Sequence, residues 1–87
     1  MNSLKKLKTL KEQSKKIAMV TCYDHWSAKL TQDSAIDCLL VGDSLAMVVY
    51  GHPTTLPATV EMMAQHTEAV VRSQPKVPVL TDLPYLL

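Results

Sequence analysis

At 87 residues and 47% hydrophobic, the sequence suits one small folding unit and is too short for a large α/β enzyme. Nine Lys and Arg against eight Asp and Glu leave a formal charge of +1, which sets up no global field to recruit nucleic acid or an acidic membrane. No run approaches the ~20 apolar residues of a membrane span, and Ile17 to Val20 is shorter than the ~7–15-residue apolar core of an export signal, so a cytoplasmic chain is expected.

Lysines 5, 6, 8, 11, 15 and 16 crowd the amino-terminal end, where they read as the solvated face of an amphipathic helix. Leu4, Leu7 and Leu10 recur at helical spacing between them, which predicts a helix from about Ser3 to Gln13. The near-continuous apolar run Ile17 to Cys22 predicts a strand buried on both faces. Asp24 is then a natural N-cap, and Trp26 and Leu30 lie one turn apart on the helix it opens. Ile36 to Val41, interrupted by Asp37, predicts a second strand ending at Gly42. A loop rich in Gly and Pro follows from about Tyr50 to Ala58. A helical stripe of Val60, Met63, Ala64, Thr67, Val70 and Val71 comes next. The last run, Val77 to Thr81, predicts a strand whose early Pro78 does little harm at its start. Strands alternating with crossover helices imply βαβ units and a parallel sheet, hence an α/β fold. Periodicity leaves a closed barrel and an open doubly wound sheet both possible. Cys22 and Cys38 form no CxxC and no dense framework, so both are expected to be buried, reduced thiols.

The acids fall where α/β proteins build sites. Asp24, Asp43 and Asp82 each lie at or just beyond the carboxyl end of a predicted strand. The tips ending at Asp43 and Asp82 can bring two carboxylates together, and Mg²⁺ commonly takes one or two while leaving positions for water and substrate. Strand-end aspartates also serve as helix caps and loop hydrogen-bond acceptors, so spacing alone leaves both roles open.

Specific motifs add to this. Val41-Gly42-Asp43-Ser44-Leu45, then Gly51-His52, Thr55-Leu56-Pro57 and Thr81-Asp82-Leu83-Pro84, with Thr21 to Asp24 ahead of them, resemble the signature of the ketopantoate hydroxymethyltransferases. Val60 to Val70 resembles the family's helix with its E-x-x-x-H pattern, although His66 follows Glu61 one position later than that spacing. The resemblance covers nearly the whole chain. Ala46, where many members have glycine, and Ser34-Ala35, in place of a common Glu-Gly turn, depart from it without removing a ligand. It implies that residues 1–87 are an incomplete single domain with no internal boundary. They would supply the capping helix and first three β/α units of a (β/α)₈ barrel. It further implies Mg²⁺ bound by Asp43 and Asp82, and a 2-oxo acid contacted by Asp43, Ser44 and Asp82. The implied substrate is 3-methyl-2-oxobutanoate. Chelation would stabilise the charge left when its C3 proton leaves, and the carbon nucleophile would then take a one-carbon unit from 5,10-methylenetetrahydrofolate. The family's proton-abstracting glutamate and carboxylate-holding lysine are expected after Leu87, so no catalytic residue is assigned within the chain. The family usually forms homo-oligomers, and its small-molecule substrate calls for neither nucleic acid nor membrane.

Other residues invite a role and have a plainer one. His52, in the Pro-rich loop, is open to two roles: lining the mouth of the site, or a solvated or loop-pinning histidine. His25 and His66 read as structural, Trp26 as a core anchor, and Met47, Met62 and Met63 as packing. Glu61 suits the start of a helix dipole. Two further functions stay open beside the transferase: a related Mg²⁺-dependent carbon–carbon lyase, and a truncated, inactive polypeptide that at most associates with other subunits.

Overall fold

The computed structural model describes residues 3–85. Helix α1 (Ser3–Glu12) leads to strand β1 (Met19–Thr21), helix α2 (His25–Leu30), strand β2 (Cys38–Val41), the short helix α3 (Leu45–Val48), helix α4 (Val60–Val71) and strand β3 (Val79–Thr81). The strands form one parallel sheet in the order β1-β2-β3, with Thr21 opposite Leu40 and Val41 opposite Thr81. Parallel neighbours need long crossovers, and α2 and α4 supply them. The mixed α/β class read from the sequence is the one observed.

Strand β2 lies between the other two, and its burial follows. Cys38, Leu39 and Val41 are buried and join Cys22, Ala28, Leu45, Met63 and Val70 as the core. On α4 the sheet-facing residues are Met63 and Val70, whereas Val60 and Val71 of the predicted stripe are each 50% exposed. Thr67 sits between them. Its hydroxyl donates to the Met63 carbonyl, so its one proton is used and the Thr81 hydroxyl, 2.7 Å away, donates to it. That pair ties α4 to β3.

Several expectations need correction. Strand β1 is not buried on both faces: Met19 is 52% exposed, because β1 is a sheet edge and only Val20 among its residues packs on the core. Trp26 is 71% exposed, so it is no core anchor here. The buried residue of α2 is Ala28, whose small side chain allows α2 to approach α4. Met47 is 43% exposed, while Met63 does pack in the core. Cys22 and Cys38 are free and buried, and burial pushes both thiols above their ordinary range.

Asp24 caps α2, accepting the Ser27 backbone N–H at 2.7 Å. The backbone and hydroxyl of Ser27 hold its carboxyl below the usual carboxylate range. A folded value below the unfolded one contributes stability that is present above the ordinary carboxylate range and lost as pH falls through the folded value. Asp24→Ala is expected to cost about 1 kcal/mol, read as faster hydrogen exchange of the α2 amides. Asp24→Asn should keep the cap and lose its acid sensitivity.

Candidate functional site at the carboxyl edge of the sheet

The carboxyl ends of β1, β2 and β3 bring together Tyr23, Asp43, Ser44 and Asp82. β2 ends at Val41, and the Asp82 backbone N–H donates to the Val41 carbonyl at 3.0 Å, which extends the β2–β3 pairing by one bond. This places the Asp82 side chain over the turn after β2. Its Oδ2 accepts the Asp43 backbone N–H at 3.0 Å. The two aspartates expected at neighbouring strand tips are therefore joined directly, the side chain of one to the backbone of the other. Among the described residues no hydrogen bond or ion pair engages the Asp43 carboxylate. Asp43, Ser44 and Asp82 are all half-buried.

Gly42 makes room for this arrangement. A Cβ at Gly42 would lie 3.3 Å from Ser44 Oγ, close enough to push that hydroxyl aside by a few tenths of an ångström, and 3.4 Å from Asp82 Oδ2, an ordinary van der Waals contact. Gly42→Ala is expected to cost about 1 kcal/mol of stability by overpacking. In the full-length protein the same change should weaken ligand binding at Ser44 more than it lowers the melting temperature, measured by calorimetry beside a thermal melt.

Ser44 is fixed from a third strand tip. The Tyr23 hydroxyl lies 2.7 Å from Ser44 Oγ across 21 positions of sequence. Tyr23 is itself held by α4, because His66 Nδ1 bonds the Tyr23 carbonyl. A carbonyl only accepts, so Nδ1 carries the proton, and in the neutral ring Nε2 then accepts the Tyr50 hydroxyl at 2.9 Å. The Tyr50 ring meets the imidazole edge-on at a centroid distance of 5.6 Å. His66 thus bridges the β1–α2 loop and the segment after α3. His25 has the structural role expected of it, its Nδ1 3.3 Å from the Ala69 carbonyl. His52 is exposed, and its side chain makes no hydrogen bond among the described residues. Glu61 is exposed in the first turn of α4, where the helix dipole favours it.

Tyr23 and its support by His66 escaped the sequence reading. The T-x-Y-D segment pointed at Tyr23, but no local spacing relates it to Ser44 or to α4.

Among the described residues no group of three or more His, Cys, Asp or Glu side chains is placed to hold a metal ion. Asp43 and Asp82 form a pair of hard oxygen donors, the number of protein carboxylates that Mg²⁺ commonly uses. A cleft of about 270 Å³ lined by Thr31, Asp33, Gln74 and Lys76 opens at the opposite, amino-terminal edge of the sheet, away from this pair. No helix of the described residues is long and apolar enough to cross a membrane.

Such an arrangement, a parallel sheet with acids and hydroxyls gathered at its carboxyl ends, is that of an α/β protein, and this is the edge on which the class places its sites. The model of the ketopantoate hydroxymethyltransferase family matches residues 1–87, and the chain belongs to that family. It is 60% identical over 76 residues to the 3-methyl-2-oxobutanoate hydroxymethyltransferase of Coxiella burnetii, covering 87% of this chain and 29% of that protein. It is 57% identical over 79 residues to the enzyme of the same name from Legionella pneumophila (strain Paris), covering 91% of this chain and 30% of that protein. The chain therefore spans just under a third of the length of these curated relatives.

Proposed function

We propose that the full-length protein carrying these residues is a 3-methyl-2-oxobutanoate hydroxymethyltransferase. It takes the one-carbon unit of 5,10-methylenetetrahydrofolate, with a water molecule, onto C3 of 3-methyl-2-oxobutanoate, releasing tetrahydrofolate and 2-dehydropantoate. Family membership and the names of the relatives support the reaction class. The observation in the site that carries the reading is the Asp43–Asp82 pair from adjacent strand tips, in which the Asp82 carboxylate accepts the Asp43 backbone N–H at 3.0 Å. In this reading residues 1–87 are the first three β/α units and capping helix of a (β/α)₈ barrel. The protein works in the cytoplasm, which suits two buried, free thiols.

Asp43 and Asp82 would hold Mg²⁺, and the donor set fits: half-buried oxygens, with a glycine at position 42 keeping the space between Ser44 and Asp82 clear. An ion held there would supply positive charge to stabilise the negative charge that develops on the 2-oxo acid when its C3 proton leaves. The residues of the chain do the rest of the positioning. Asp82 fixes the turn after β2 through the Asp43 N–H, which holds the Asp43 backbone beside the Asp82 carboxylate. Ser44, restrained by Tyr23, offers its hydroxyl to the substrate. A general base from elsewhere in the full-length protein takes the C3 proton.

This reading predicts exchange before transfer. In the full-length enzyme, 3-methyl-2-oxobutanoate should exchange its C3 hydrogen for deuterium when Mg²⁺ is present, even without the folate donor, as followed by proton NMR. Absence of exchange together with cleavage of a larger acid would make the protein a carbon–carbon lyase instead.

A further inference from the structure

We infer that His66 is a positioning residue which, through Tyr23, sets the hydroxyl of Ser44 toward the 2-oxo acid, an inference that rests on the substrate assignment proposed above. The observations are a continuous chain of bonds. Tyr50 Oη lies 2.9 Å from His66 Nε2, His66 Nδ1 bonds the Tyr23 carbonyl, and Tyr23 Oη lies 2.7 Å from Ser44 Oγ. Three separate segments of the carboxyl edge meet in it, and both imidazole nitrogens are used.

The direction of each bond gives the chain its consequence. A phenol is the more acidic hydroxyl and the better donor toward an aliphatic one, so Tyr23 donates to Ser44. Ser44 Oγ then has its own proton left to donate, and an anionic oxygen of a 2-oxo acid is the partner that rewards it. Ser44 is in the N-cap position of α3 yet makes no side-chain capping bond. With that common use of the hydroxyl set aside, Tyr23 is the group that orients it. The Tyr23 ring can hold that place only if its backbone is held. The β1–α2 loop is bonded at the Tyr23 carbonyl by His66, on a helix that is itself anchored to the sheet through Met63, Val70 and the Thr67–Thr81 pair. His66 makes no contact with Ser44, Asp43 or Asp82 among its hydrogen bonds, so its effect on the substrate must pass through Tyr23.

The test uses the full-length enzyme with Mg²⁺, reading the dissociation constant of 3-methyl-2-oxobutanoate by calorimetry beside a thermal melt. Tyr23→Phe, which removes one oxygen, is expected to weaken binding about five- to tenfold, the worth of one hydrogen bond to a charged-site donor. His66→Gln, which can reach Tyr50 but not the Tyr23 carbonyl, should weaken it similarly. His66→Asn places an amide N–H where Nδ1 stood and should restore most of the affinity, a rescue that a general loss of stability would not produce. Each loss should vanish when Ser44 is already alanine, because the effect runs through that hydroxyl. Additive losses in the Ser44→Ala background, or equal affinity for His66→Asn and His66→Gln, would overturn the inference while leaving the functional reading intact. A wild-type enzyme that does not bind the 2-oxo acid, or a Ser44→Ala variant that binds it normally, would overturn that reading and this inference with it.

Discussion

Asp82→Ala in the full-length enzyme is expected to lose both Mg²⁺ affinity and thermal stability, whereas Asp43→Ala should lose the first alone. The difference follows from what each carboxylate does before any ligand arrives. Asp82 Oδ2 accepts the Asp43 backbone N–H, so truncating it strands a half-buried donor and costs about 1–3 kcal/mol. The Asp43 carboxylate has no protein partner among the described residues, and removing it should leave the melting temperature unchanged or slightly raised, because two neighbouring negative charges repel. In the proposed metal site the two would be equivalent. Each would supply one of two charges, and substitutions that merely disturb a ligand's support cost about 10–100-fold, so loss of the ligand itself should weaken Mg²⁺ by at least about 100-fold. Binding of the 2-oxo acid should fall with it.

The asparagine variants separate the two roles of Asp82. Asp82→Asn keeps a carbonyl oxygen to accept the Asp43 N–H and removes the charge that attracts the cation. It should melt near the wild-type temperature and still bind Mg²⁺ poorly. Calorimetric titration of metal, then of 2-oxo acid, on wild type, Asp43→Ala, Asp82→Ala, Asp43→Asn and Asp82→Asn gives the comparison. Unchanged metal affinity in both asparagine variants would remove Asp43 and Asp82 from the metal site.

Why these two acids were legible in the sequence and Tyr23 and His66 were not has a physical explanation. Alternating strands and helices fix the direction of every strand, so residues that follow strands share one edge whatever the details. Asp43 and Asp82 needed only that. The Tyr23–Ser44 and His66–Tyr23 bonds join positions 21 and 43 residues apart, and they depend on how far α4 is rotated about its axis, which a stripe of apolar residues fixes only coarsely. The same coarseness explains Trp26. In a helix of six residues, Trp26 and Leu30 mark one face and Ala28 another, and size favours the first while close packing on α4 selects the second. Helix α3 was invisible for a related reason. Its four residues, Leu45 to Val48, are all apolar and complete barely one turn, so no period of 3.6 can be seen. The strands came out shorter than their apolar runs because pairing needs a neighbour. β1 pairs only where β2 lies beside it, from Met19 to Thr21.

The 87-residue polypeptide, expressed alone, is expected not to melt cooperatively and to self-associate. Among the described residues its sheet has two open edges, β1 and β3, each with one side unpaired by a neighbouring strand. The apolar surface points the same way. Leu30 and Leu56 are each 63% exposed, Val48 67%, Leu83 69% and Trp26 71%. A cleft of about 330 Å³ between α4 and the end of β3, lined by Val60, Met63, Ala64, Leu83 and Pro84, is almost wholly apolar and open. The total accessible surface, 6091 Å², exceeds the roughly 5,100 Å² that the scaling for folded monomers gives at this mass. Burial is therefore short by the standard of stable domains of this size, while the entropy lost on ordering each residue is undiminished. A two-carboxylate site cannot make up the difference, since among the described residues it lacks a third ligand from the chain. Size-exclusion chromatography should show aggregate or an expanded species, and circular dichroism a broad thermal transition that Mg²⁺ does not sharpen. A soluble monomer with a single steep melt would show that β2 and its surrounding core are sufficient by themselves, and that the open edges and exposed leucines cost less than their area implies.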